Sequence, residues 1–188
     1  MKDLFEEAVR FALRAHHGQR RKDGSIFVLH PLEVAAIAGT MTRDESVLAA
    51  AVLHDTVEDT AVTAEEIRAT FGDRVADLVA HDTEDKRPTV APSDSWLIRK
   101  QESIEVLKVC DRDSRILWLS DKLSNLRSLA RDHAVLGVAV FDRFNEKDPR
   151  MQGWYYGTVL EYLKDLEDCS AYQEASHLFH TVFDAYQK

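Results

Sequence analysis

The chain has 188 residues, a formal net charge of −9 and 45% hydrophobic residues, which suits one well-cored domain and argues against disorder. The acidic balance argues against nucleic acid as the main partner, because tracking a phosphate backbone requires a basic face; a small anionic ligand can still meet a local cationic patch. No apolar run approaches the roughly 18 residues of a membrane span, the charged N-terminus is not a signal peptide, and the two distant cysteines, Cys110 and Cys169, read as reduced thiols of a cytoplasmic protein.

Glycine and proline together contribute only 7 + 4 = 11 residues, and the periodic stretches are long, which predicts an all-α fold. Leu4, Phe5, Ala8, Phe11, Ala12 and Ala15 recur with helical spacing and predict a first amphipathic helix to about His17. A polar, cationic segment from Gly18 to Leu29 follows, with Lys22-Asp23-Gly24 as a turn signal. Pro31 opens a second helix, since its missing N–H costs nothing in the first turn. Asp44 caps a third predicted helix over 44–59, DESVLAAAVLHDTVED. Thr63 and Glu66 form a capping box for a short helix that Gly72 ends, and another runs from Asp73 to about His81. RPTVAPSD (87–94) is the clearest loop. Long helices are predicted over about 95–109 and 114–131, then over about 152–168 and 172–187, with NEKDPR as a polar loop before the last pair.

Three separated segments hold the informative polar residues: His30-Pro31, His54-Asp55 followed by Glu58-Asp59, and Asp121 with Asn125 one turn later. On a continuous helix, positions 54, 55, 58 and 59 fall at about 0°, 100°, 40° and 140°, so four polar groups share one face of an otherwise apolar segment. Burying them together is costly unless a cation compensates. His30, His54, Asp55 and Asp121 offer two imidazoles and two carboxylates, a mixed N/O set that suits Mn, Fe, Co or Zn without selecting among them. The most basic run of the chain, Arg20-Arg21-Lys22, directly precedes His30.

The segments AHHGQRRKDGSIFVLHPLEVA (15–35), LAAAVLHDTVEDTAVTAEEI (48–67), FGDRVADLV (71–79) and LSDKLSNLRSL (119–129) make the chain resemble the HD-domain metal phosphohydrolases. Within them it is similar to the hydrolase domain of RelA/SpoT-type alarmone enzymes and to the small stand-alone alarmone hydrolases. The resemblance implies an HD-domain helical bundle with additional C-terminal helices. It implies one domain over 1–188, with a core of about 1–132, an extension of about 133–188 and no room for a synthetase half. It assigns His30, His54, Asp55 and Asp121 as metal ligands and Glu58 and Asp59 to water activation and proton transfer. Arg21 and Lys22 then contact the base and phosphates of the substrate, and Asn125 is a further substrate contact.

The family metal is usually Mn²⁺. The implied reaction is a 3′-pyrophosphohydrolase reaction on ppGpp, a small guanine-based anion. Another nucleotide or phosphorylated metabolite is the alternative substrate, and a non-catalytic nucleotide-binding module is the third reading. Self-association through the C-terminal helices stays open. Two departures bear on the substrate. Phe27 stands where the alarmone hydrolases usually carry a tyrosine, and HDTEDK (81–86) matches the family's Thr-Lys segment only loosely. His16, His17, His81, His133, His177 and His180 carry no partner pattern and read as structural or exposed.

Overall fold

The computed structural model describes residues 3–186. Among the described residues it is all-helical; the one β-type pairing is an isolated antiparallel bridge between Arg20 and Ile26. The chain divides into two compact units. Among the described residues, the first combines 3–84 with 110–121, and the second combines 85–109 with 122–186.

The first unit holds helices α1 (Leu4–Ala15), α2 (Leu29–Met41), α3 (Glu45–Leu53), α4 (Thr56–Asp59), α5 (Ala64–Phe71) and α6 (Asp73–Asp82). It also holds the N-terminal half of α8 (Arg112–Leu136). Its centre is α3. Val47 and every residue from Ala49 to Leu53 are fully buried, so this helix is apolar around its whole circumference, as a helix enclosed by neighbours must be. Its alanines let α1, α2 and α6 pack around it. The caps follow the sequence: Asp3, Asp44 and Thr63 accept N–H groups of Glu6, Ser46 and Glu66, each satisfying a donor that a helix N-terminus leaves open. Arg74 reaches back from α6 to Asp44 and to Asp113, which ties the α3 cap to the start of α8.

The second unit holds α7 (Pro92–Val109), the remainder of α8, α9 (Pro149–Tyr162) and α10 (Ser170–Phe183). Gly153 and Gly157 face Phe183 and Phe179; a Cβ at either position would stand 3.2 Å and 3.1 Å from those rings. Close approach of α9 and α10 is therefore built on two missing side chains. Arg127 grips Glu174 through two parallel N–H···O bonds of 2.6 Å, the paired geometry that suits guanidinium and carboxylate.

The helix boundaries differ from expectation in instructive ways. α2 begins at Leu29, two residues before Pro31, so His30 lies in the first turn. The expected loop 87–94 gives way to helix at Pro92, where a proline needs no donor. The segment 137–143 forms an unexpected 3₁₀ stretch. The last two predicted helices start earlier, at Pro149 and Ser170, and end in short 3₁₀ turns at 164–166 and 184–186. Gln187, the expected end of the last helix, lies outside the described residues.

Candidate metal centre

The predicted third helix is broken at the residues of interest. α3 stops at Leu53, His54 and Asp55 form a turn, and α4 restarts at Thr56. Side chains take up carbonyls there: Thr56 Oγ1 donates to the Leu53 carbonyl at 2.6 Å, and His54 Nδ1 lies 2.9 Å from the Ala51 carbonyl. Side chains bonded locally to backbone compete with the regular ladder. The single polar face expected of a continuous helix is thus replaced by a turn that aims His54 and Asp55 inward.

Four groups meet there, from α2, the α3–α4 turn and α8. His30 Nε2 lies 3.1 Å from Asp121 Oδ1 and 3.5 Å from Asp55 Oδ2. His54 Nε2 lies 3.2 Å from Asp55 Oδ2 and 3.7 Å from Asp121 Oδ1. His30, His54 and Asp121 are buried, and their ligand atoms lie within 4.8 Å of one another. Asp55 is half-buried beside them.

This donor set fits a divalent ion. The Ala51 carbonyl can only accept, so His54 Nδ1 carries the proton of the neutral ring and Nε2 presents its lone pair. That Nε2 is buried and makes no hydrogen bond of proper geometry. A ring whose far nitrogen is fixed by a backbone carbonyl is the usual arrangement of a metal-ligating histidine. Donors bonded to one first-row ion at about 2.1 Å stand roughly 3–3.5 Å apart, close to the spacings seen. Without a cation, burial opposes a charge on His54, but Asp55 and Asp121 outweigh it and hold the ring well above the ordinary histidine range. Burial also opposes the charge on Asp55, yet His54 and His30 lower its pKa to about 2. Neutralising so many buried charges is the electrostatic service that a metal performs.

The other expected residues flank the cluster residues along the chain. Glu58 and Asp59 lie half-buried on α4, immediately after the ligand turn. Glu58 Oε2 accepts the Glu84 backbone N–H at 3.1 Å. Arg21 and Lys22 sit on a tight turn, where Arg21 N–H donates to Ser25 O at 3.0 Å and Gly24 N–H to Arg21 O at 2.9 Å. Asn125 follows Asp121 by one turn of α8. Arg127, later on α8, is paired with Glu174.

One linking residue, Gln19, was missed by sequence reasoning. His16 is buried, and Gln19 bonds both His16 and the Asp59 carbonyl; a glutamine in a polar turn carries no periodic signal. His81 also has a partner, Ser114 Oγ at 2.8 Å.

The HD domain family model matches residues 8–143, a stretch containing His30, His54, Asp55, Glu58, Asp59, Asp121 and Asn125. The chain belongs to the HD-domain family. It is 41% identical over 130 residues to the guanosine-3′,5′-bis(diphosphate) 3′-pyrophosphohydrolase MESH1 of Danio rerio, covering 66% of this chain and 68% of that one. It is 35% identical over 134 residues to a GTP pyrophosphokinase of Myxococcus xanthus, covering 70% of this chain but 17% of that longer one. Its fold matches that of a metazoan SpoT ortholog, reported to hydrolyse ppGpp, with a TM-score of 0.77 and 26% identity over 96% of both chains. These similarities place the chain among the RelA/SpoT-type members of the HD-domain family. Among the described residues no helix is long and apolar enough to cross a membrane.

Proposed function

We propose that the chain removes pyrophosphate from the 3′ position of ppGpp, leaving GDP. The observation that carries this reading is the buried His30–His54–Asp121 cluster, with the bare Nε2 of His54 facing two carboxylates. His30, His54, Asp55 and Asp121 are the ligands, and Mn²⁺ is the proposed ion. A divalent ion there supplies a lowered water pKa and a polarised phosphoryl oxygen.

The chain's own residues do the rest. Glu58 orients the attacking water and takes its proton, held in place by the Glu84 N–H. Water adds to the phosphorus that carries the 3′ oxygen, the P–O3′ bond breaks, and O3′ takes up a proton delivered from the Glu58–Asp59 pair. Asp55, Glu58, Asp59 and Asp121 would repel a polyanion, so Arg21 and Lys22 on the preceding turn offset that charge at the phosphates and base. Asn125 supplies a further polar contact.

The residues 1–188 are read as one catalytic domain, acting in the cytoplasm on a small nucleotide and without a nucleic-acid partner; self-association is the remaining part of this reading. One observation favours a second substrate. Phe27 has no hydroxyl to offer a base or ribose and is stacked on His16. A different phosphorylated nucleotide is the alternative on that ground.

The test is pyrophosphate release from ppGpp by Mn²⁺-loaded protein, beside a panel of other nucleotides and a His54→Ala control. Release from ppGpp far above the control and the panel supports the assignment. Release at control level overturns it.

A further inference from the structure

One amide side chain joins the segments that the proposed reaction uses. Gln19 Nε2 donates to the Asp59 backbone carbonyl at 2.8 Å, and Gln19 Oε1 lies 2.8 Å from His16 Nδ1. A carbonyl only accepts, so the amide can face only one way, and His16 Nδ1 must be the donor to Oε1. His16 is fixed in turn: it is 3% exposed, and its ring stacks on Phe27 at 4.6 Å. Phe27 meets the His30 ring edge-on at 6.5 Å. The Gln19 carbonyl accepts the Phe27 N–H at 3.2 Å, closing the base of the turn that carries Arg21 and Lys22.

We infer that Gln19 is a positioning residue, which holds the basic turn in register with the acidic helix α4. This rests on the proposed roles of Arg21 and Lys22 and of Glu58 and Asp59. α4 is a single turn of helix, and its last carbonyls have no partner within it. Gln19 supplies one for Asp59. The basic turn has its own internal bonds, so it keeps its shape without Gln19 but loses this fixed placement against α4. Misplacement of about 1 Å at distance from the chemistry can lower a rate by about 100-fold.

Three variants separate the bonds. Gln19→Ala removes both. Gln19→Glu keeps an acceptor for His16 but removes the donor to the Asp59 carbonyl. His16→Asn keeps an N–H donor toward Gln19. Hydrogen exchange on the metal-loaded protein reads the amides of residues 20–26, 59–60 and 49–53, and steady-state kinetics read KM and kcat on ppGpp.

Both Gln19 variants are expected to quicken exchange at 20–26 and 59–60 while 49–53 stays protected, and to keep their bound metal. They should raise KM about tenfold or more, and His16→Asn should stay near the parent protein. Unchanged exchange in Gln19→Ala overturns the inference, as does loosening that extends equally to 49–53. Loss in His16→Asn equal to that in Gln19→Ala also overturns it. The exchange measurement needs no substrate. Failure to turn over ppGpp would therefore remove the proposed function while this inference is still decided.

Discussion

His30 Nε2 and Asp121 Oδ1 stand 3.1 Å apart, joining the first turn of α2 to the middle of α8. The contact is buried at both ends, and the His54 ring lies across it, with its centroid 5.2 Å from that of His30. A direct histidine–carboxylate pair and a shared cation are the two ways to stabilise such a group away from water. The His54 ring favours the cation: with its Nδ1 proton held by the Ala51 carbonyl, the neutral ring turns the Nε2 lone pair toward Asp55 and Asp121, which a cation can satisfy and a carboxylate cannot.

Removing that nitrogen should therefore remove the ion. His54→Ala is expected to bind no more divalent metal than chelator-treated protein, by elemental analysis after desalting, and to fall to the same residual activity. Retention of metal by the variant would show that the cluster is not the binding site.

Glu58→Gln separates proton transfer from folding. The amide oxygen can still accept the Glu84 N–H, so the local structure and the bound metal should persist. Losing the base should lower kcat by about 10²- to 10⁴-fold. Steady-state kinetics beside metal analysis check both halves.

The pH dependence of stability should change sign with metal. Without it, the folded pKa of His54 is raised by Asp55 and Asp121. Its contribution is complete below the ordinary histidine value of about 6.5 and is lost as pH rises through the folded pKa. The contribution of Asp55 holds above the ordinary aspartate value and is lost as pH falls toward about 2. Metal-free protein should therefore melt at a lower temperature as pH rises well above about 6.5. A bound cation needs the neutral ring, so metal stabilisation grows with pH. Thermal melts with chelator and with excess Mn²⁺ test the two slopes; parallel slopes would contradict the coupling.

The α9–α10 contact gives a ranking of stabilities. A Cβ on Gly153 would stand 3.2 to 3.5 Å from three atoms of Phe183, including its own Cβ, whereas one on Gly157 would press on the far end of Phe179. Phe183 is fully buried, and its root cannot swing aside. Overpacking costs about 1–3 kcal/mol, and alanine recovers up to about 1 kcal/mol of helix propensity over glycine. Gly153→Ala should lose more stability than Gly157→Ala in urea unfolding, with the latter close to neutral.

Helical content, the caps at Asp44 and Thr63, and the separation of apolar from polar stretches were legible along the chain, because each depends on neighbours within a few residues. The four residues that gather in the candidate centre, His30, His54, Asp55 and Asp121, were also legible, through their resemblance to HD-domain sequences. The break at His54-Asp55 was not. A histidine and an aspartate fit a helical pattern as readily as a turn, and their partners, the Ala51 carbonyl and the distant Asp121, are set by folding.

By itself, then, the sequence determined which residue types could hold a cation and on which segments they lie. Only the tertiary structure decided that α2, the α3–α4 turn and α8 converge on one buried point. Only the tertiary structure committed Arg127 to Glu174 and linked Gln19 to Asp59. The physical reason is the same in each case: burial and hydrogen bonding between distant segments have no period to read, and they take effect only when packing removes the competing water.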